Sequence, residues 1–155
     1  MTLNNCIRLL RSRDIPFLLF TYSDQKRSAI EVASVLNVDP FLVHKTIVIT
    51  RITRKEPILA VVPGPFEVDL KKVAVVSGEK KVFLPTERET ESLTGLKAGG
   101  ISPIVLYNQG YQVILDELSK SQPDLIVSGG RRGLSIKLSV EDFIKLTSAT
   151  IASII

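Results

Sequence analysis

Two runs dense in β-branched residues, Val43 to Ile52 and Ile58 to Val62, lie on either side of the polar stretch Arg54-Lys55-Glu56-Pro57. β-Branched side chains suit a pleated, half-buried surface, and two such runs joined by a short polar loop predict a hairpin. The surrounding segments alternate between strand and helix signals. Leu3, Ile7 and Leu10 recur at helical spacing within Leu3 to Arg11, a first amphipathic helix. After Pro16, the aromatic-rich Phe17 to Tyr22 reads as a short strand. Ser28 with Glu31 three residues on is a capping pattern for a second helix, closed by Asn37-Val38-Asp39-Pro40.

Asp69 is placed to cap a helix through Leu70, Val73 and Ala74. A strand at Val82 to Leu84 precedes a helix over about Thr86 to Leu93, which Gly95 ends. Four more strands are expected, at Ile104 to Tyr107, Gln112 to Leu115, Leu125 to Ser128 and Leu134 to Leu138. Ser139 and Asp142 resemble the cap of a last helix, Val140 to about Ile154. The sum is an α+β fold in one domain over residues 1–155, with a mixed β-sheet or barrel-like core and peripheral helices.

Composition narrows the function classes. Hydrophobic residues make up 45% of the chain and charged ones 23%, as in a folded globular protein. No apolar run approaches the roughly 18 residues that span a bilayer, and Arg8, Arg11 and Arg13 break the leucines that a signal peptide would keep together. Cys6 is the sole cysteine, which forbids an intrachain disulfide and suits a reducing cytoplasm; nothing near it suggests thiolate activation. The net charge of +4 is compatible with a polyanionic partner, and it collects in the pairs Lys71-Lys72, Lys80-Lys81 and Arg131-Arg132. Only 6% of residues are aromatic and none is tryptophan, which leaves few stacking platforms for a general single-stranded RNA binder.

Several common catalytic layouts are absent from the sequence. With one histidine, His44, and one cysteine, no Cys/His zinc site can be assembled. There is no GxSxG elbow and no GxxxxGK[ST] phosphate loop. What remains is lysine, hydroxyls and glycine-rich backbone. Lys45 shares a strand face with Val43 and Ile47, so it must reach the rim, pair with an acid or meet an anionic ligand. Thr94 to Pro103 contains Gly99-Gly100, where backbone N–H groups can approach an oxyanion or a phosphate. Ser128-Gly129-Gly130-Arg131-Arg132-Gly133 follows a strand and offers guanidinium groups to phosphate. Each of these also has a bland reading, as a strand-end lysine and two surface turns.

Their order and spacing are more specific than any one of them. Val43-His44-Lys45-Thr46-Ile47, Val68-Asp69-Leu70-Lys71-Lys72-Val73, Thr94-Gly95, Gly99-Gly100-Ile101-Ser102-Pro103, Asp116 and Ser128 to Leu134 together resemble the YbaK/ProX-type aminoacyl-tRNA editing domains, along nearly the whole chain. The resemblance implies a free-standing enzyme that hydrolyses mischarged tRNA, typically tRNA-Pro carrying cysteine or alanine. It implies no metal or organic cofactor, and prolyl-tRNA synthetase as a possible partner.

By position, Lys45 would hold the terminal adenosine phosphate or the ester carbonyl, and the Gly99-Gly100-Ile101 backbone would polarise that carbonyl. Tyr22, Thr46, Ser102, Ser128, Gly129 and Ser135 would shape the substrate pocket; Arg131, Arg132, Lys71 and Lys72 would face the tRNA. Two positions depart from the family. Ser135 stands where cysteine-clearing relatives often carry an aspartate, and His44 stands where a tyrosine is frequent. Cysteine is therefore the leading substrate, with an alanine or serine deacylase, or a non-catalytic tRNA- or synthetase-binding module, as alternatives.

Overall fold

The computed structural model describes residues 4–53 and 56–155; the expected helix start at Leu3 and the loop residues Arg54 and Lys55 lie outside the described residues. The hairpin forms as the β-branched runs predict. Strands β2 (His44–Arg51) and β3 (Ile58–Pro63) pair antiparallel, with Lys45 opposite Val62 and Ile47 opposite Ala60. β3 then pairs in parallel with β5 (Gln112–Asp116), and β5 in parallel with β8 (Thr150–Ala152). The two-residue strand β4 (Val82–Phe83) joins the far end of β2 at Thr50 and Arg51.

A second, three-stranded antiparallel sheet places β7 (Leu134–Ser139) between β1 (Leu18–Thr21) and β6 (Asp124–Ser128). One parallel bridge, Val43 to Ile126, joins the sheets where β2 begins. The mixed sheet expected from the sequence is present. It stays open as two sheets, and the barrel-like alternative is not realised.

Every residue of β3 is buried, and side-chain alternation explains how. Leu59 and Val61 join the larger core with Leu115, Leu125, Ile136 and Phe143, whereas Ile58, Ala60 and Val62 face a second core with Val73, Ile114 and Ile154. Cover comes from α1 (Asn5–Ser12), with Cys6 and Leu10 in the larger core, and from α3 (Leu70–Ser77), with Val73 and Ala74 in the second.

The caps predicted at Ser28, Asp69 and Ser139 form, and Thr86 adds another. Ser28 and Glu31 make a reciprocal capping box at α2 (Ala29–Leu36), and Thr86 and Glu89 another at α4 (Glu87–Thr94), which Gly95 ends in the left-handed conformation. Asp69 accepts hydrogen bonds from the Lys71 and Lys72 N–H groups at the start of α3.

Two expected elements differ. Residues 104–107, expected as a strand, belong to the short helix α5 (Pro103–Tyr107): Ser102 caps its N-terminus, and Pro103 takes the first turn, where no N–H is required. The last helix, α6 (Val140–Thr147), stops well before Ile154, because Ser148 adopts a left-handed conformation (φ 51°) and the chain then runs into β8 against β5. A 3-10 turn at Glu117–Ser121, which no local pattern announces, follows β5.

Candidate active site

A cavity of about 210 Å³ opens at the seam between the two sheets, where β2 begins beside β6. Strand β2 contributes Lys45 and Thr46, β6 contributes Val127 and Ser128, and β7 contributes Ser135. The loop from Tyr22 to Ser28 and the turn at Gly99 and Ile101 complete its rim. None of the described lining residues is an aspartate or glutamate, while Lys45 and Arg27 are both cationic. The lining thus brings two cations and no acid to one cavity, and the acid that meets Lys45 comes from outside that lining.

Lys45 meets an acid, one of the three outcomes its strand position allows. Its Nζ lies 2.9 Å from Glu67 Oε1; the lysine side chain is 23% exposed and the glutamate side chain 89%. Deeper in the cavity, the Tyr22 hydroxyl and Ser135 Oγ are hydrogen-bonded at 2.7 Å, with Ser135 buried. Arg27 is a lining residue that the sequence does not single out. Its guanidinium stacks 5.3 Å from the Tyr22 ring centroid and donates to the Ser23 carbonyl and hydroxyl. Nothing local marks it except its place just before the Ser28 cap. Lys26, next to it, pins the same loop to the first residue of α4 by two contacts to Glu87, at 2.7 and 2.9 Å.

The two glycine-rich turns pack against each other. A Cβ on Gly100 would sit 2.9 Å from Arg131 Cα and 3.0 Å from its carbonyl carbon, so no side chain fits there. Arg132 Nε donates to the Ala98 carbonyl at 2.7 Å, which fastens the two loops together. The Gly100 N–H is already taken by the Lys97 carbonyl at 2.7 Å. Among the described residues, the Gly99 and Ile101 N–H groups have no protein acceptor. Gly133, at φ 79°, lets the Tyr22 carbonyl come so close that a Cβ would collide with it, and the Tyr22 N–H donates to the Gly133 carbonyl at 3.0 Å.

Not every predicted site residue gathers here. Ser102 is fully buried beneath the cavity wall, capping α5 and contacting Cys6 Sγ at 3.9 Å. Gly129 turns its backbone into the protein, its N–H to Leu134 and its carbonyl to Asn4 Nδ2. Arg131 and Arg132 line a neighbouring depression with Lys97 and Asp24, packed against the Gly99–Gly100 turn. Lys71 and Lys72 belong to a separate groove on α3 with Val75 and Ser153, and Lys72 Nζ donates to the Ile155 carbonyl. The structure does not bring this pair to the cavity.

His44 borders the cavity, yet both ring nitrogens are engaged inward: Nδ1 with the Leu42 carbonyl at 2.8 Å, Nε2 with Ser119 Oγ at 2.7 Å. Burial holds its pKa down to about 4, against upward pulls from the Leu42 carbonyl and Asp116. It is a neutral structural imidazole and has no nitrogen to offer a ligand. Cys6 is buried, and burial pushes its thiol up to about 12, so it is no nucleophile either.

The cavity is small, none of its described lining residues is a carboxylate, and Lys45, Gly99 and Ile101 all line it. Residues 23–146 match the model of the aminoacyl-tRNA editing domain, and the chain belongs to that family. A protein of Enterococcus faecalis, provisionally named Cys-tRNA(Pro)/Cys-tRNA(Cys) deacylase EbsC, is 36% identical over 97% of this chain and 92% of its own. The fold also matches the crystal structure of hypothetical protein APE2540, with a TM-score of 0.85 at 22% identity over 95% of this chain and 96% of that one. A provisionally named trans-editing enzyme for prolyl tRNA synthetase matches with a TM-score of 0.80 at 23% identity, over 99% and 98% of the two chains.

Proposed function

We propose that this protein is a trans-acting aminoacyl-tRNA deacylase that hydrolyses the ester of a small, wrongly attached amino acid, with Cys-tRNA(Pro) as the leading substrate. One observation carries the reading: in a chain of the editing family, Lys45, Gly99 and Ile101 line the same 210 Å³ cavity, and the N–H groups of Gly99 and Ile101 have no acceptor among the described residues. That volume suits a small aminoacyl group and leaves the terminal adenosine at the mouth.

An aminoacyl ester is already activated, so placement and charge stabilisation can supply most of the catalysis. As a nucleophile adds to the carbonyl carbon, the carbonyl oxygen gains negative charge facing Lys45 and the Gly99 and Ile101 N–H groups. The carbon–oxygen bond to the ribose then breaks, and the ribose oxygen takes the proton that the attacking water or substrate group gives up. Among the described lining residues none is a carboxylate, the Glu67 carboxylate at the mouth is paired with Lys45, and His44 is engaged elsewhere, so on this reading the attacking group comes from water or from the substrate itself. Thr46, Ser128 and the Tyr22–Ser135 pair shape the pocket, and Arg131 and Arg132 extend it towards acceptor-stem phosphates. The 155 residues act as one editing domain in the cytoplasm, on tRNA released from prolyl-tRNA synthetase or still near it.

Ser135 supports a second reading, an alanine or serine deacylase of the same mechanism, because it offers the substrate ammonium a hydroxyl in place of a carboxylate. A deacylation panel decides the matter: tRNA-Pro charged with cysteine, alanine, serine or proline, against wild type and Lys45→Ala. The expected result is preferential loss of one small non-cognate amino acid, slowed by about 10²-fold or more in the variant, as for loss of an oxyanion-stabilising group. Equal rates in both proteins would remove Lys45 from the mechanism, and no activity on any of the four would refute the deacylase reading.

A further inference from the structure

The partner of Lys45 has no place in the chemistry just described. Glu67 lies in the loop between β3 and α3, and the backbone around it is firmly held: the Gly64 N–H donates to the Val43 carbonyl at 2.8 Å, and the Asp69 N–H to the Ile154 carbonyl at 2.7 Å. Phe66 packs edge-on to Phe41 with ring centroids 6.1 Å apart. The loop therefore delivers the Glu67 carboxylate to the cavity mouth, while the side chain itself stays 89% exposed. A carboxylate that exposed is poorly suited to orient a lysine whose own side chain is three-quarters covered. The ordered member of the pair is Lys45, and Glu67 follows it.

We propose that Glu67 is a displaceable counter-ion: it neutralises Lys45 while the cavity is empty and yields that place to the anionic acceptor end of the RNA. This rests on the deacylase reading for the identity of the ligand, though not for the exchange itself. An exposed lysine–glutamate pair contributes little, worth about a two- to fivefold change in an equilibrium constant, so a polyanion can displace it. Every anion that reaches Lys45 bears the same cost. A free nucleotide has few other contacts with which to offset it, whereas an RNA end that also meets Arg131 and Arg132 has several. The exchange raises the affinity threshold at the site without blocking it.

A double-mutant cycle tests this in the full chain, by fluorescence anisotropy with an uncharged RNA hairpin ending in unpaired CCA and by nuclear magnetic resonance titration with adenosine monophosphate. Glu67→Gln keeps the shape and removes the charge. It should tighten both ligands by about two- to fivefold when Lys45 is present. In the Lys45→Ala background the same substitution should change neither affinity. Equal tightening in both backgrounds would mean a general surface-charge effect and overturn the proposal. Weaker binding in Glu67→Gln would overturn it as well, by making the carboxylate a support for Lys45 or for the ligand. Because the ligands carry no amino acid, the cycle is read without turnover, so a wild type that deacylates nothing would sink the functional reading and leave this result standing.

Discussion

His44 is 4% exposed, and its ring lies between the Leu42 carbonyl and the Ser119 hydroxyl, near the buried Asp116 carboxylate, which itself accepts the Ile154 and Leu118 N–H groups. Its pKa is about 4 in the fold, against an ordinary 6.5. As pH drops through 6.5, the unfolded chain takes up a proton on this ring and the folded protein does not. In that window the unfolded state binds more protons, so stability falls with falling pH. The contribution is intact above 6.5 and is lost progressively towards pH 4. The loss amounts to about 2 kcal/mol at about pH 5 and up to about 3 kcal/mol near pH 4.

Urea unfolding of wild type and His44→Gln, at about pH 7.5 and about pH 5, measures it. Glutamine keeps a polar side chain and cannot titrate. The wild type should lose about 2 kcal/mol more than the variant on acidification. The capping carboxylates Glu31 and Glu89, held below their ordinary 4.5 chiefly by backbone hydrogen bonds at Ser28 and Thr86, titrate alike in both proteins and cancel. Identical pH dependence in the two would refute the claim that a neutral, buried His44 ties β2 to the 3-10 turn.

Gly100→Ala should destabilise the protein by about 1–3 kcal/mol and slow deacylation, because the added methyl meets the Arg131 backbone and pushes apart two loops that border the site; thermal unfolding and the deacylation panel report both effects. Arg51→Ala should cost about 3–5 kcal/mol of unfolding free energy, because it breaks a nearly buried ion pair with Glu79 and removes the bonds to Gln112 and the Ser77 carbonyl. Below its transition temperature that variant should still deacylate, since Arg51 lies at the other end of β2 from Lys45; lost activity in a folded sample would contradict that separation.

The local parts of the site are legible in the sequence. Lys45 on an apolar strand face, Gly99 and Ile101 in a glycine-rich turn, and Ser128 at a strand end all carry signals within a few neighbouring residues, and all line the cavity. Arg27 and Glu67 carry none. Glu67 matters through the strand lysine 22 positions away, and Arg27, whose own bonds are to nearby Tyr22 and Ser23, becomes a site residue only because the fold brings its loop to the same cavity as Lys45 and Gly99. Gly100 carries a visible signal with a different cause, since its small size serves loop packing and its N–H is already bonded.

Short-range chemistry determined the helix starts at Ser28, Asp69, Thr86 and Ser139 and the β2–β3 hairpin, because a cap or an alternating run acts over about three to eight residues. Where α6 stops was decided by tertiary structure. The apolar pattern from Val140 onward reads as helix, yet the open edge of β5 takes Thr150 to Ala152 as a parallel strand, a partner distant in sequence. The cavity lies at the seam where Val43 bridges to Ile126 and the two sheets meet, a pairing of residues far apart in sequence. A sequence can specify which residues favour a strand. Which strands meet depends on burying all of β3 from both faces at once, and that is settled only when the whole chain has packed.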